Sequence, residues 1–295
     1  MEFRPSWVGL VAAATSLWLC GCQGGVSTVG SPTGSTGRSA TLENALSPNS
    51  LVSNSLVSNS LVSNSLVSNS LVSNALADPS AQGDANRDFF RYLISCAFNI
   101  SQTAGFSWTD GAGNVHNETY QGALGLAPYW ADWPLDEAGQ RWVTACLLAR
   151  TNYYGISILI SMRARSPAQA AGDPFEITLS EFKDYTDYEG AFWGNLFAQF
   201  PKMFSCSLSY PVPAYLEADE RVCTIPEQDA TGNPTQTTRC GFGSSLPVCS
   251  SVCATVQQRR TGAASSKLYY FYELCSGTDN DPRLEVITTA LYHTH

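Results

Sequence analysis

Cysteine is the residue type in this chain with the most chemistry to offer. Ten are present. Eight of them lie beyond the first quarter of the chain: Cys96, Cys146, Cys206, Cys223, Cys240, Cys249, Cys253 and Cys275. An even set of this kind in an exported protein reads as a disulfide framework, here four bridges with 105 possible pairings. Zinc is the rival reading near Cys249 and Cys253, but their spacing is C-x3-C and no second close pair follows, as a zinc ribbon requires. Acids offer a second chemistry. Asp184, Asp187 and Glu189 lie close in sequence and are candidates for the facing carboxylate pair that hydrolyses glycans, which needs two groups about 5–9.5 Å apart. Acids at a helix start that satisfy its free N–H groups are the plainer reading. Aromatics offer a third. Tyr129, Trp130 and Trp133 sit between Pro128 and Pro134, where exposed rings would form a stacking platform and buried ones a lid on the core. His116 stands beside a hairpin with no identifiable partner, and His293 and His295 are terminal. Asp279-Asn280-Asp281 lacks the glycine and distant glutamate of an EF-hand loop. No nucleophile elbow, zincin motif, phosphate loop or dinucleotide fingerprint occurs. No catalytic residue, metal or cofactor is therefore expected.

The remaining cysteines are at the start. An apolar run from Trp7 to Leu19 suits a signal peptide and is short of the roughly 20 residues that span a bilayer. It ends in Leu19-Cys20-Gly21-Cys22. With Leu at −3 and a small residue at −1, Cys22 resembles the acylated cysteine of a bacterial lipobox. The resemblance implies cleavage after residue 21 and fatty acid, such as palmitate, on Cys22, so that the partner is a lipid bilayer. Gln23 in the next place is compatible with outer-membrane sorting. The chain carries a net charge of −9, which disfavours nucleic acid.

Between this start and the cysteines lie two low-complexity stretches. Residues 22–43 are rich in Gly, Ser and Thr, as linkers are. In residues 44–78 a leucine recurs every five positions from Leu46 to Leu76, each preceded by Asn-Ser or Asn-Ala. A period of five forms no stripe on a helix and changes face on a strand. It resembles the pentapeptide-repeat coil, although seven repeats make under two turns, so a stalk is the simpler expectation.

Residues 79–295 read as a single domain. Asp78-Pro79 opens a helix that ends near Phe98 with Cys96 close to its end. Phe106–Thr109 and Val115–Tyr120 flank Asp110-Gly111 as a hairpin. A second helix runs from about Asp136 to Arg150, and packing of the two helices would let Cys96 meet Cys146. Ile156–Met162 and Phe175–Leu179 alternate as strands do. Thr186-x-x-Glu189 fits a capping box for an apolar helix from Gly190 to Ala198. Met203–Leu208, Leu268–Cys275 and Leu284–Tyr292 are further strands. The expected class is α+β: helices packed on a mixed or antiparallel sheet, stapled by disulfides and preceded by a repeat-containing stalk.

Several stretches resemble a group of uncharacterised exported lipoproteins of myxobacteria, which set Asn-Ala-Leu or Asn-Ser-Leu repeats before a cysteine-rich domain. They are Leu124–Pro128, Trp142-Val143 with Ala145-Cys146, Gly194–Phe197, Arg221–Cys223 and the spacing of Cys240, Cys249, Cys253 and Cys275. That group carries no known activity, so the resemblance implies only the boundaries and the disulfides. Taken together, the sequence points to a membrane-tethered envelope module that binds a glycan or an envelope protein without catalysis, with Tyr129, Trp130 and Trp133 as contacts. The alternative is a glycan hydrolase using acids near Asp184–Glu189.

Overall fold

The computed structural model describes residues 41–43, 46, 62–66, 70–152, 155, 157–167, 173–208, 221–224, 239–242, 246–259, 268–278 and 280–292. In chain order, strand β1 (Thr41–Glu43) precedes helices α1 (Ser70–Ala77) and α2 (Ala81–Ala97). The hairpin β2 (Thr103–Thr109) and β3 (Val115–Gln121) follows, then a 3-10 turn at Pro128–Ala131 and helix α3 (Glu137–Ala149). Next come β4 (Leu159–Arg163), α4 (Leu179–Asp184), β5 (Asp187–Asn195) and β6 (Lys202–Ser207). The last third holds β7 (Arg221–Thr224), β8 (Arg239–Phe242), the short α5 (Cys249–Val252), β9 (Ala254–Arg259), β10 (Leu268–Glu273) and β11 (Ile287–Leu291). Cys22, and with it the signal, lies outside the described residues, as do Asp279, His293 and His295.

The class is α+β, as expected. Five strands form an antiparallel sheet in the order β1-β4-β11-β5-β6. Three two-stranded pieces accompany it: β2–β3, β7–β8 and β9–β10. Helix α3 packs on β5 and β11, and α2 packs on α3. Between those two helices the expected bridge forms, Cys96–Cys146, with Cα atoms 6.0 Å apart.

Helix starts follow their capping chemistry. Asp136 caps α3 by accepting the Gly139 N–H at 2.7 Å, which neutralises one of the four unpaired donors of the first turn. For α2 the cap is Ser80, accepting from Gln82 N–H, two residues later than Asp78-Pro79 suggested. Asp78 instead accepts the Ser80 N–H at 2.9 Å. Its carbonyl lies so close to Gly83 that any Cβ there would sit 1.7 Å from the oxygen.

Two expectations are corrected. Phe175–Leu179 is not a strand. It is a turn leading to Thr178, which caps α4 in a true capping box with Glu181. Phe175 and Ile177 are both buried, so the alternation was real while the ladder was not. Gly190–Ala198 is not a helix, and Thr186-x-x-Glu189 caps nothing. That run belongs to β5, which lies between β11 and β6 and is buried on both faces. A strand covered on both sides is apolar at every position and loses the period that would reveal it.

The repeat does not stand apart as a stalk where it is described. Leu46, Val62, Leu66, Val72 and Leu76 all belong to the main core. The Leu66 N–H donates to the Trp130 carbonyl at 2.8 Å, and the Leu135 N–H donates to the Val62 carbonyl at 2.9 Å. Leu46 exchanges backbone hydrogen bonds with Arg150 and Asn152. From α2, Asn86 donates to the carbonyl of Ala75, and Arg87 to those of Leu76 and Asp78, which satisfies the end of α1. The expected boundary at residue 79 therefore cuts through packed structure, and β1 joins the sheet ahead of it.

Candidate binding site

The aromatic and acidic residues singled out in sequence do not assemble into a site. Trp130 is fully buried, edge-to-face on Phe197 at 5.7 Å, with its indole N–H donating to the Asn64 carbonyl. It is a core residue, which removes it from any contact surface. Tyr129 is half-buried and donates to Asp136 at 2.7 Å. Burial, and then that hydrogen bond, push its phenol well above the usual tyrosine range. Trp133 alone of the three is open, 67% exposed. Three rings close in sequence thus serve core, cap and surface.

The acids also separate. Glu189 is sealed in the sheet, accepting from the Thr289 hydroxyl at 2.8 Å. No substrate reaches it there, so it cannot form half of a cleft pair. Asp184 ends α4 and Asp187 begins β5, so neither stands at a helix start. His116 has a partner that sequence did not identify. Its Nε2 lies 3.0 Å from Asp110 Oδ2 and its ring stacks on Trp108 at 4.4 Å, with the Arg87 guanidinium 3.6 Å from the Trp108 ring centre. This lock closes the hairpin. Asp281 pairs with Arg141 and Arg283 at 3.4 Å each, a structural use of its charge.

Four of the cysteines lie together. Cys206 on β6 bridges Cys249 at the start of α5, and Cys253 just after α5 bridges Cys275, with Cα separations of 4.9 and 4.1 Å. The Sγ atoms of Cys206 and Cys253 are 3.9 Å apart. Cys223 is disulfide-bonded, and in the β7–β8 backbone register position 223 lies opposite position 240.

These bridges frame the concave feature that best fits a binding role. A cavity of about 570 Å³ lies along the edge of β6, within the range usual for ligand sites, about 300–1,000 Å³. Phe192 of the main core cluster and Leu148, half-buried against it, form one wall. Trp193, Phe204 and Val252 form the opposite wall and belong to the second cluster with the cysteines. The cavity therefore wraps around the edge of the sheet and touches both faces. Ser205, Val252 and Ser276 in its lining are each next to a bridged cysteine, so the disulfides hold three wall segments in fixed relation.

Local chemistry explains the walls. Trp193 and Phe204 are directly opposite in the β5–β6 register and stack at 5.8 Å. A Cβ on Gly277 would lie 2.4 Å from the Phe204 ring, so only glycine lets that ring lie flat there. Gly194 has a φ of +145°, and a Cβ would meet the Lys202 carbonyl at 2.2 Å. The Trp193 indole N–H is buried without an acceptor among the described residues. Among the described residues every lining side chain is uncharged: apolar, or a Ser or Thr hydroxyl. The arrangement offers burial and hydrogen bonds. Among the described lining residues there is no carboxylate, amine, guanidinium, imidazole or thiol.

Sequence reasoning found the strand Met203–Leu208 but not this site. The available signal was Gly194, inside the run expected to be helical, which in fact allows close approach between strands.

Comparison with known proteins addresses the repeat alone. No curated protein and no solved structure matches the chain. Residues 46–74 are similar to the GLTT repeat family, which they match in six copies.

Proposed function

We propose that this chain is an exported, lipid-anchored protein of the cell envelope whose domain is a non-catalytic binding module. The observation that carries the reading is the cluster of two disulfides framing an uncharged cavity. Stable bridges of this kind belong to an oxidising compartment. A cavity without titratable walls suits binding rather than catalysis. The lipobox at Cys22 supplies the route out of the cytosol and the attachment to a bilayer, with the outer membrane favoured by Gln23. The repeat before a cysteine-rich domain fits the resemblance to exported myxobacterial lipoproteins. An apolar cavity favours an envelope protein over a glycan, since sugars require several directed polar groups and these walls supply few.

The test is metabolic labelling with an alkyne fatty acid in a bacterial host, comparing the wild-type chain with Cys22→Ser. The expected result is label on the membrane-bound wild type and none on the variant, with the domain cysteines resistant to alkylation in both. Equal labelling of the two, or a cytosolic wild type with free thiols, would refute anchoring and export together.

A further inference from the structure

Cys249 opens α5 and Cys253 follows its last residue, so a single helical turn presents both to Cys206 on β6. Cys206 is bonded to the first, and its Sγ lies 3.9 Å from the Sγ of the second. Cys253 is in turn bonded to Cys275, which follows β10 closely. Solvent reaches the four unequally. Cys206, Cys249 and Cys275 are fully buried, whereas Cys253 is half-buried. An external reagent therefore meets the set at Cys253. Backbone hydrogen bonds hold the sulfurs in place independently of either bridge. Cys253 N–H donates to the Cys249 carbonyl at 2.9 Å, Ser207 N–H to the Pro247 carbonyl at 3.1 Å and Ser276 N–H to the Val252 carbonyl at 2.9 Å. The helix thus stays seated against β6 when the Cys253–Cys275 bridge opens.

From this geometry we propose that the four cysteines form a thiol–disulfide exchange site: an external dithiol enters at Cys253, and the Cys206–Cys249 bridge is exchanged for Cys206–Cys253. The proposal goes beyond the binding reading above and does not rest on it. One thiolate of the dithiol attacks Cys253 Sγ, which breaks the bond to Cys275 and leaves Cys275 as a thiolate. The second thiolate of the reagent then attacks the reagent's own sulfur in the mixed disulfide. The reagent leaves as its disulfide, and Cys253 is left as a thiolate. Cys253 next attacks Cys206 Sγ. The Cys206–Cys253 bond forms, the Cys206–Cys249 bond breaks, and Cys249 departs with the electron pair. The dithiol has lost two electrons and two protons, and the protons end on Cys275 and Cys249. A thiolate held beside its target has an advantage that free reagent has to match by concentration. The new bridge spans 47 residues where the old one spans 43, so the loop entropies nearly cancel and favour neither pairing. The product ties β6 to the far end of α5 and releases Cys275, whose neighbour Ser276 lines the cavity. Reduction at the accessible sulfur thereby frees one cavity wall and keeps β6 bridged.

The experiment treats the full chain, without denaturant, with graded dithiothreitol. The reaction is quenched in acid, free thiols are alkylated with N-ethylmaleimide, and the remaining bridges are mapped by mass spectrometry of peptic peptides. The expected first product carries label on Cys249 and Cys275 and a Cys206–Cys253 bridge. Label on Cys253 and Cys275 with an intact Cys206–Cys249 bridge would overturn the proposal. So would loss of both bridges together with no singly reduced chain. Two variants separate exchange from mere loosening of the domain. Cys275→Ser and the double variant Cys253→Ser with Cys275→Ser lack the same bridge, and only the first keeps the attacking sulfur. Without any reductant, Cys249 should be alkylated at least roughly tenfold faster in the first than in the second. Equal rates would also overturn the proposal, because opening of the domain alone would then expose Cys249. If the variants do not fold, the wild-type map decides.

Discussion

Around α2 and α3 the interior is built from large apolar side chains, with Phe89, Leu93, Trp142 and Leu147 among many others, and one bridge crosses it. Around Trp193 the second cluster has seven buried residues, and three of them are half-cystines. One of its walls comes from β9–β10, which is only two-stranded. A two-stranded piece is marginal in water, and little apolar surface is available to bury. The difference shows where covalent bonds stand in for core. In the chain-entropy view, closing loops of 43 and 22 residues contributes about 4 and about 3 kcal/mol respectively, more than most single side chains in this region can contribute.

The comparison breaks most clearly if both bridges are removed. Replacing Cys206, Cys249, Cys253 and Cys275 by Ser should cost about 7 kcal/mol in total. Hydrogen exchange should then show β9 and β10 unprotected while α2, α3 and β4 stay protected. Loss of protection everywhere at once would mean the two regions form one cooperative unit. Trp130→Ala comes next, at roughly 3–5 kcal/mol for emptying a fully buried site, read by urea unfolding. An unchanged midpoint would return Trp130 to the surface. Cys275→Ser alone should cost about 3 kcal/mol and leave a Cys253 thiol 3.9 Å from Cys206. Peptide mapping should then find a Cys206–Cys253 bridge with Cys249 free, which sharpens the view of the cluster as one covalent unit. Thr178→Ala should cost about 1 kcal/mol through loss of the α4 cap, measured by thermal unfolding. The smallest effect concerns the hairpin. Asp110 is held below the usual carboxylate range, first by its hydrogen bond with His116 and then by Asn114. Its contribution is complete above the unfolded value of about 3.9 and fades as pH falls below it. Asp110→Asn should flatten that acid dependence in hairpin NMR shifts.

Much of the fold was legible in sequence because its signals are local. Asp136 and the hairpin at Asp110 announce themselves through side-chain chemistry within a few residues. So did the meeting of Cys96 and Cys146, once both helices were placed. Thr178-x-x-Glu181 and Thr186-x-x-Glu189 are equally good capping boxes on paper. Only the first is one, because the second lies in a strand that its neighbours bury on both faces. The cavity was not legible at all. Its walls come from residues as far apart as Leu148 and Gly277, and their meeting depends on strand order. In the repeat, tracking leucine alone hid the useful spacing. Each valine lies four residues before the next leucine, one helical turn, and Val62 with Leu66 and Val72 with Leu76 are buried as such pairs.

That pairing makes the copies interchangeable. Val57 and Leu61 present the same two side chains at the same separation as Val62 and Leu66, and the residues between them are identical. A shift of the chain by one unit would bring an identical pair to the position that Val62 and Leu66 occupy. The sequence thus carries spare copies of the pair that the core engages twice, at Val62 with Leu66 and at Val72 with Leu76.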